Sequence, residues 1–476
     1  MSGASSAEDA DTRALVTLDA ATILDGPTPP ATVSKCDVTT WRIAFCASLA
    51  YALSYFWRYP IFILPETILH QRFATVGGTD LDLQAAFSLA FILGFGVAKP
   101  FAAVVVSSRL FFSRRILALS FLLAASMLVE CVGLPVFAGA PGAQVACVFV
   151  SSFFSSWLYG AAATYLEGRR TTEVLLAVLS FFLIYAGNLS RGTAALVLQA
   201  GCPPLLMPLA IGAVACPISI ALYVAVDRAP PPSAADVATR SKRTAMTGAQ
   251  RAAFLRRWGV FVAPQCAAYA LLTGIRSVRD LYSQQIFAES LGVAEAPPYV
   301  FLIADLPGAI CGGAVLLLLS RVPSNERAVF FNLGAQAASA VLLLSSTILF
   351  ALKGLPGLAW QLAAGTGIFV PYLVMQTPIF ERLLAVAQSE GTLSFLIFLS
   401  DGIGYVVSIT LLLYRDFAPA TAVAGGELAL FERMAGGCAA ACLVLTAVSA
   451  LFFRGAIGRA KRSSEDAEAG GEGSVN

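Results

Sequence analysis

Ala50–Arg58 reads AYALSYFWR, and Ala268–Arg276, 218 residues further on, reads AYALLTGIR. Each stretch lies inside a long apolar run and ends on an arginine. Each arginine also follows a tryptophan, Trp41 by 17 residues in the first case and Trp258 by 18 in the second. One short match between two parts of a chain can arise by chance. Its weight comes from the segments around it, which repeat in number and in charge pattern.

Those segments are apolar enough to cross a bilayer. The chain has 476 residues, 58% hydrophobic and only 13% charged, with a mean hydropathy of +0.76. A soluble chain carries about 25% charged residues, so this composition reads as an all-α, multi-pass integral membrane protein, in a membrane the sequence does not specify. The net charge of +2 gives no reason to expect a nucleic-acid partner. One histidine (His70) and ten cysteines without a CxxC pair argue against a His/Cys metal site. With no Walker loop, no GxGxxG after a strand and no nucleophile elbow, no cofactor and no enzymatic activity are expected. The N-terminal tail is polar and acidic with no long apolar core, so the first span is expected to direct insertion.

Twelve spans are predicted. Six lie at about 41–64, 83–108, 115–138, 143–166, 173–199 and 203–227. Six more lie at about 258–288, 297–320, 328–351, 357–380, 389–414 and 428–454. With the N-terminus taken as cytoplasmic, 22 of the 31 Lys and Arg fall on the inner side, 4 on the outer side and 5 within spans. That bias puts both termini in the cytoplasm. Residues 228–257 carry a Pro run and seven basic residues and read as a cytoplasmic linker. Its segment GAQRAAFLRRW reads as a short amphipathic surface helix. The expected organisation is a disordered tail 1–40, a six-helix half 41–227, the linker, a six-helix half 258–454 and a disordered tail 455–476. Two parallel six-helix repeats with a site between them are the plan of the major facilitator superfamily.

An arginine inside a span costs about 2.5–3.5 kcal/mol at the centre of the bilayer and normally faces the bundle interior or a wet cavity. At ~1.5 Å per residue, Arg58 lies about 26 Å along its helix from Trp41. The bland reading pairs Arg58 with a carboxylate such as Glu66, and Arg276 with Asp280, four residues on and on the same helix face. The alternative is that the two arginines, one from each half, grip one anion with their planar donor forks. Lys99, in GFGVAKPFAA, adds a third cation, and Tyr51, Tyr55 and Tyr269 are spaced to flank the arginines as hydroxyl donors. Arg191, in NLSRGT, is a further site cation or a partner for Glu130. Asp401, flanked by glycine, either neutralises Arg191 or Arg279 or carries a proton. Asp305, before Leu-Pro, reads as the cap of a kink.

The stretches YALSYFWRYPIFIL, LGFGVAKPFAAVVVSSRL and YALLTGIRSVRDLY resemble the first, second and seventh helices of the organophosphate:phosphate antiporters of that superfamily. The resemblance implies that Arg58 and Arg276 hold a phosphate with Lys99 nearby, with Arg279 in reserve for the seventh helix. AGNLSRG has Asn188 and Arg191 where that family carries a histidine. YLEGRRTTEVLLAVLS, RSVRDLYSQQIFAESLG and FLSDGIGYVVSITLLLYRDF resemble a bacterial family of major-facilitator-like membrane proteins of unknown function. The resulting expectation is a monomeric secondary transporter for a small anion, phosphate or organophosphate being favoured. It would work by alternating access, with exchange for phosphate as one mode. A non-transporting receptor or sensor on the same fold is the alternative.

Overall fold

The computed structural model describes residues 38–106, 111, 113–166, 172–229, 248–376, 378–387, 393–417 and 426–472. The predicted disordered N-terminal tail lies outside these up to residue 37, as does most of the linker. In hydrocarbon every backbone polar group must be bonded within the protein, and the described chain meets this with helices almost throughout.

The first half comprises α1 (Val38–Leu53), α2 (Tyr55–Arg58), a 3-10 turn (Pro60–Ile63), α3 (Glu66–Leu69), α4 (Leu83–Val106), α5 (Arg115–Val136), α6 (Pro141–Ser155), α7 (Leu158–Leu166), α8 (Thr172–Gln199) and α9 (Met207–Asp227). The second comprises α10 (Gly248–Leu281), α11 (Ser283–Leu291), α12 (Pro298–Ala304), α13 (Leu306–Leu319), α14 (Asn325–Ala351), α15 (Gly357–Gln376), α16 (Pro378–Val386), α17 (Leu393–Phe417) and α18 (Gly426–Glu472).

Eleven of the described helical segments are long and apolar enough to cross a membrane, where twelve were expected. The difference is the first span, which does not form one helix. Ser54 turns its hydroxyl onto the Tyr51 carbonyl at 2.7 Å, and Pro60 has no N–H to continue a ladder and restricts Tyr59 before it. The segment therefore runs as 16 helical residues, a four-residue turn of helix and a 3-10 turn. A uniform rise from Trp41 to Arg58 does not apply to it.

Other boundaries also differ. The amphipathic segment from Gly248 is not a separate surface helix but the first turns of the 34-residue α10. The predicted disordered tail from 455 is helical as far as Glu472. Between the first span and α4, a two-stranded hairpin, β1 (Arg72–Val76) and β2 (Thr79–Asp82), departs from the all-helical expectation. Gly77 and Gly78 take φ of +60° and +85° at its tip, the conformation that two-residue hairpins require.

Within the first half α4 and α5 pack on α6, and α1 on α8 and α9. Within the second, α10 packs on α17 and α18, α14 on α15 and α18, and α13 on α15. The halves meet where α8 lies against α12 and α13, and where α4 lies against α17. In span order these contacts are fifth with eighth and second with eleventh, and a shift of six spans exchanges one for the other. The interface therefore has the pseudo-two-fold relation that the AYAL repeat announces. Large apolar side chains such as Leu117, Phe121, Val214, Val406 and Leu451 point outward, as a lipid-facing surface requires.

Candidate functional site

A cavity of about 100 Å³ lies between the halves. Both arginines of the repeat line it, with Lys99, Tyr51, Tyr55, Tyr269, Asp280 and Asp401. Arg191, Arg279 and Asp305 do not. Four further tyrosines, Tyr59, Tyr159, Tyr372 and Tyr405, complete the wall and were not singled out in the sequence. For Tyr59 the signal was present: 51, 55 and 59 are successive i,i+4 positions on one face.

Arg58 owes its position to the break in the first span. Its Nε donates to the Ser54 carbonyl and its Nη2 to the Ser54 hydroxyl, both at 2.9 Å. Its guanidinium lies 4.3 Å from the centre of the Tyr55 ring and 5.6 Å from that of Phe95. Among the described residues no carboxylate lies within ion-pair distance of Arg58. Glu66, the partner considered for it, is exposed at the start of α3. The two other cations on the cavity are held more weakly than their charge permits. Arg276 Nε is 3.4 Å from Asp280, and Lys99 Nζ is 3.5 Å from Asp401. Tyr269 donates to Asp401 at 2.7 Å and stacks on Tyr372 with ring centres 5.0 Å apart. Asp401 thus neutralises Lys99 and neither Arg191 nor Arg279.

Behind the cavity a chain of ion pairs joins the halves. Arg276 and Arg191 flank Asp280, Arg191 Nη2 lying 3.0 Å from Asp280 Oδ1. Arg191 donates to Asn188, and Asn188 donates to Asp305 at 2.6 Å. Asp305 binds Arg279 at 2.6 Å. Three expectations are corrected here. Asp305 stands at the α12–α13 junction but makes no side-chain cap; its carboxylate serves Arg279 and Asn188. Arg279 is only 1% exposed and committed to Asp305 and Gln361, so it is not a reserve anion ligand in this arrangement. Arg191 pairs with Asp280 rather than with Glu130. Gly365 makes this packing possible, because a Cβ there would stand 2.8 Å from the Asp305 carboxylate.

The halves are also tied at the end of the bundle that carries the hairpin. Gln84 donates to the Leu281 carbonyl at 3.1 Å, and Gln285 donates to Gln84 at 2.8 Å. Gly192 brings α8 so close to α12 that a Cβ would lie 2.8 Å from Leu302. At the opposite end Arg115 pairs with Asp227 and lies over the Tyr165 ring within the first half, and Arg382 donates to Asn325 within the second.

Two pseudo-symmetric helical halves around a central polar cavity define an integral multi-pass membrane protein of the major facilitator fold. Solved structures share it. A bacterial homologue of the human lysosomal transporter Spinster, in an inward-facing and unoccupied conformation, matches with a TM-score of 0.52 and 11% identity, covering 88% of this chain and 98% of that one. The nucleoside transporter NupG matches with a TM-score of 0.52 and 14% identity over 88% of this chain and 99% of that one. A single-residue mutant of NupG matches likewise, at 13% identity over 87% and 100%. The chain belongs to DUF5690, a family of unknown function whose model matches residues 69–456. No curated protein matches the sequence.

Proposed function

We propose that the chain is a secondary transporter that moves a small anion through the cavity between its halves by alternating access. The observation that carries this reading is the composition of that cavity. Three cations, Arg58, Lys99 and Arg276, face two carboxylates, Asp280 and Asp401, and among the described residues no carboxylate lies within ion-pair distance of Arg58. An arginine without a carboxylate on the wall of a membrane cavity is costly unless an anion visits it. The solved structures of similar fold, transporters by name, agree with this reading.

The substrate class is a phosphate, an organophosphate or a small carboxylate. The arginine forks match planar or tetrahedral oxyanions, and seven tyrosines offer hydroxyl donors and ring faces to a small organic portion. An entering anion meets Arg58 first and then competes with Asp280 for Arg276. Asp280 retains Arg191, so the charge chain behind the cavity adjusts to substrate without leaving a carboxylate bare. With the basic end of the bundle cytoplasmic, the ties at the hairpin end make this an outward-closed conformation. Anion exchange follows if the empty cavity, with its uncompensated cations, reorients slowly.

The test is a thermal-shift panel of inorganic phosphate, sugar phosphates and carboxylates on purified protein, followed by radiolabel uptake into proteoliposomes. A ligand at 100 times its Kd should add about 2.7 kcal/mol of stability. Binding with uptake supports transport. Binding without flux turns the reading into the receptor alternative, and no anion binding removes it.

A further inference from the structure

Glu130, in the last third of α5, is fully buried, and the Ser151 hydroxyl is the polar side-chain group set beside its otherwise unpartnered carboxylate. The site described above does not use it. Beside it α6 presents Ser151, Ser152 and Ser155, each buried, and the hydroxyls of Ser152 and Ser155 have no partner. Ser151 and Ser155 share a helix face, about 6 Å apart along the axis. Ser155 lines the cavity beside Arg58, while the Ser151 hydroxyl and the Arg58 guanidinium are the groups that bear on the charge of Glu130. A run of unused hydroxyls thus leads from the anion cavity to an unused carboxyl group.

Among the described residues, the other side chains set around Glu130 are uncharged cysteines, serines and tyrosines. On the same helix Cys131 donates to the Pro208 carbonyl, and Ser126 serves Trp57. Cys147 faces Glu130 from α6, Cys216 and Tyr223 stand on α9, and Tyr165 on α7 is committed to Asp227. Arg58, from the broken first span, is the charged group that bears on Glu130.

We propose that Glu130 is a proton-binding site coupled to the anion site through Arg58, so that an anion and a proton cross together. An ionised carboxylate with no ion pair and only the Ser151 hydroxyl beside it is strongly disfavoured in such surroundings, and a proton on Glu130 removes the charge. The uncompensated charge of Arg58 works against that proton. An anion bound to Arg58 cancels this opposition, so anion binding strengthens proton binding. By linkage a proton on Glu130 strengthens anion binding by the same factor. Departure of the anion restores the field of Arg58 and expels the proton along the serine hydroxyls. The balance is one proton taken up and one released, with no other reactant.

The inference rests on the transport reading, and its test separates the two. Infrared spectroscopy of the purified full-length chain follows the carbonyl stretch of a protonated carboxyl group, assigned by its loss in Glu130→Gln. The parent should show this band. Its midpoint should move to higher pH on addition of inorganic phosphate. Arg58→Gln should raise the midpoint by itself and abolish the response to phosphate. Glu130→Asp, which keeps the carboxyl, should keep a band and controls for misfolding. In proteoliposomes an inward proton gradient should accelerate net phosphate uptake by the parent and not by Glu130→Gln. A spectrum unchanged by Glu130→Gln, or equal acceleration in parent and variant, overturns the proposal. If the parent moves no phosphate at all, the transport reading fails for that substrate, and the infrared arm still decides whether Glu130 holds the proton.

Discussion

At the scale of single residues, Arg58 and Arg279 show how two buried arginines in one bundle come to differ. Arg279 is closed off by Asp305 and Gln361; Arg58 has only Ser54 and aromatic faces. Lysine in place of arginine keeps charge and loses the fork. Arg58→Lys and Arg276→Lys should therefore insert normally and weaken anion binding about 10–100-fold, the worth of one charged hydrogen bond, as titration calorimetry would show. Unchanged affinity in both would make these arginines structural. Asp401→Asn has the opposite sign: it releases Lys99, raises the positive charge of the cavity and should tighten anion binding in the same assay. Asp305→Ala strands Arg279 without a charge partner. It should cost about 3–5 kcal/mol of stability in thermal unfolding, and Arg279→Met added to it should restore part of that loss.

At the scale of elements, the break in the first span and the close approach at Gly192 set what can move. Four-residue α2 holds Arg58 between a serine turn and Pro60, so the arginine rides on the least regular part of its half. Gly192 lets α8 and α12 close the hairpin end, and leucine there would have no room beside Leu302 and the Pro298 carbonyl. Gly192→Leu should hold that end apart. The check is a cysteine placed at Gln84, which should react with a membrane-impermeant thiol reagent faster in the Gly192→Leu background. Equal rates would mean that the α8–α12 contact is not a closure point. The break itself is written as Ser54 and Pro60 inside an apolar run, yet hydropathy cannot see it, because a kinked span is as greasy as a straight one. The hairpin is written in Gly77-Gly78 and escapes for a related reason: long apolar windows pass over β1 and β2, which are short and polar.

At the scale of the whole molecule, the sequence discloses what repeats along the chain and withholds what meets across it. Spans, the charge asymmetry and the AYAL repeat are linear signals, and they lead to two halves with Arg58 and Arg276 on one cavity. The partners of Arg191, Asp280, Asp305 and Asp401 are set by which spans touch, the fifth with the eighth and the second with the eleventh. One sequence gives no such pairing, so it leaves Asp401 between Arg191 and Arg279 when it belongs to Lys99. We infer from the same topology that the two arginines serve one anion rather than two separate ion pairs. The most direct measurement is a double-mutant cycle of Arg58→Gln and Arg276→Gln on the affinity for the tightest-binding anion of the panel. It is read by calorimetry at fixed salt, because exposed charge interactions are screened. A shared anion predicts a coupling energy of about 0.5–3 kcal/mol, since the second arginine no longer completes the grip once the first is gone. Effects that add to within about 0.5 kcal/mol would contradict the claim and leave the two arginines as independent features of each half.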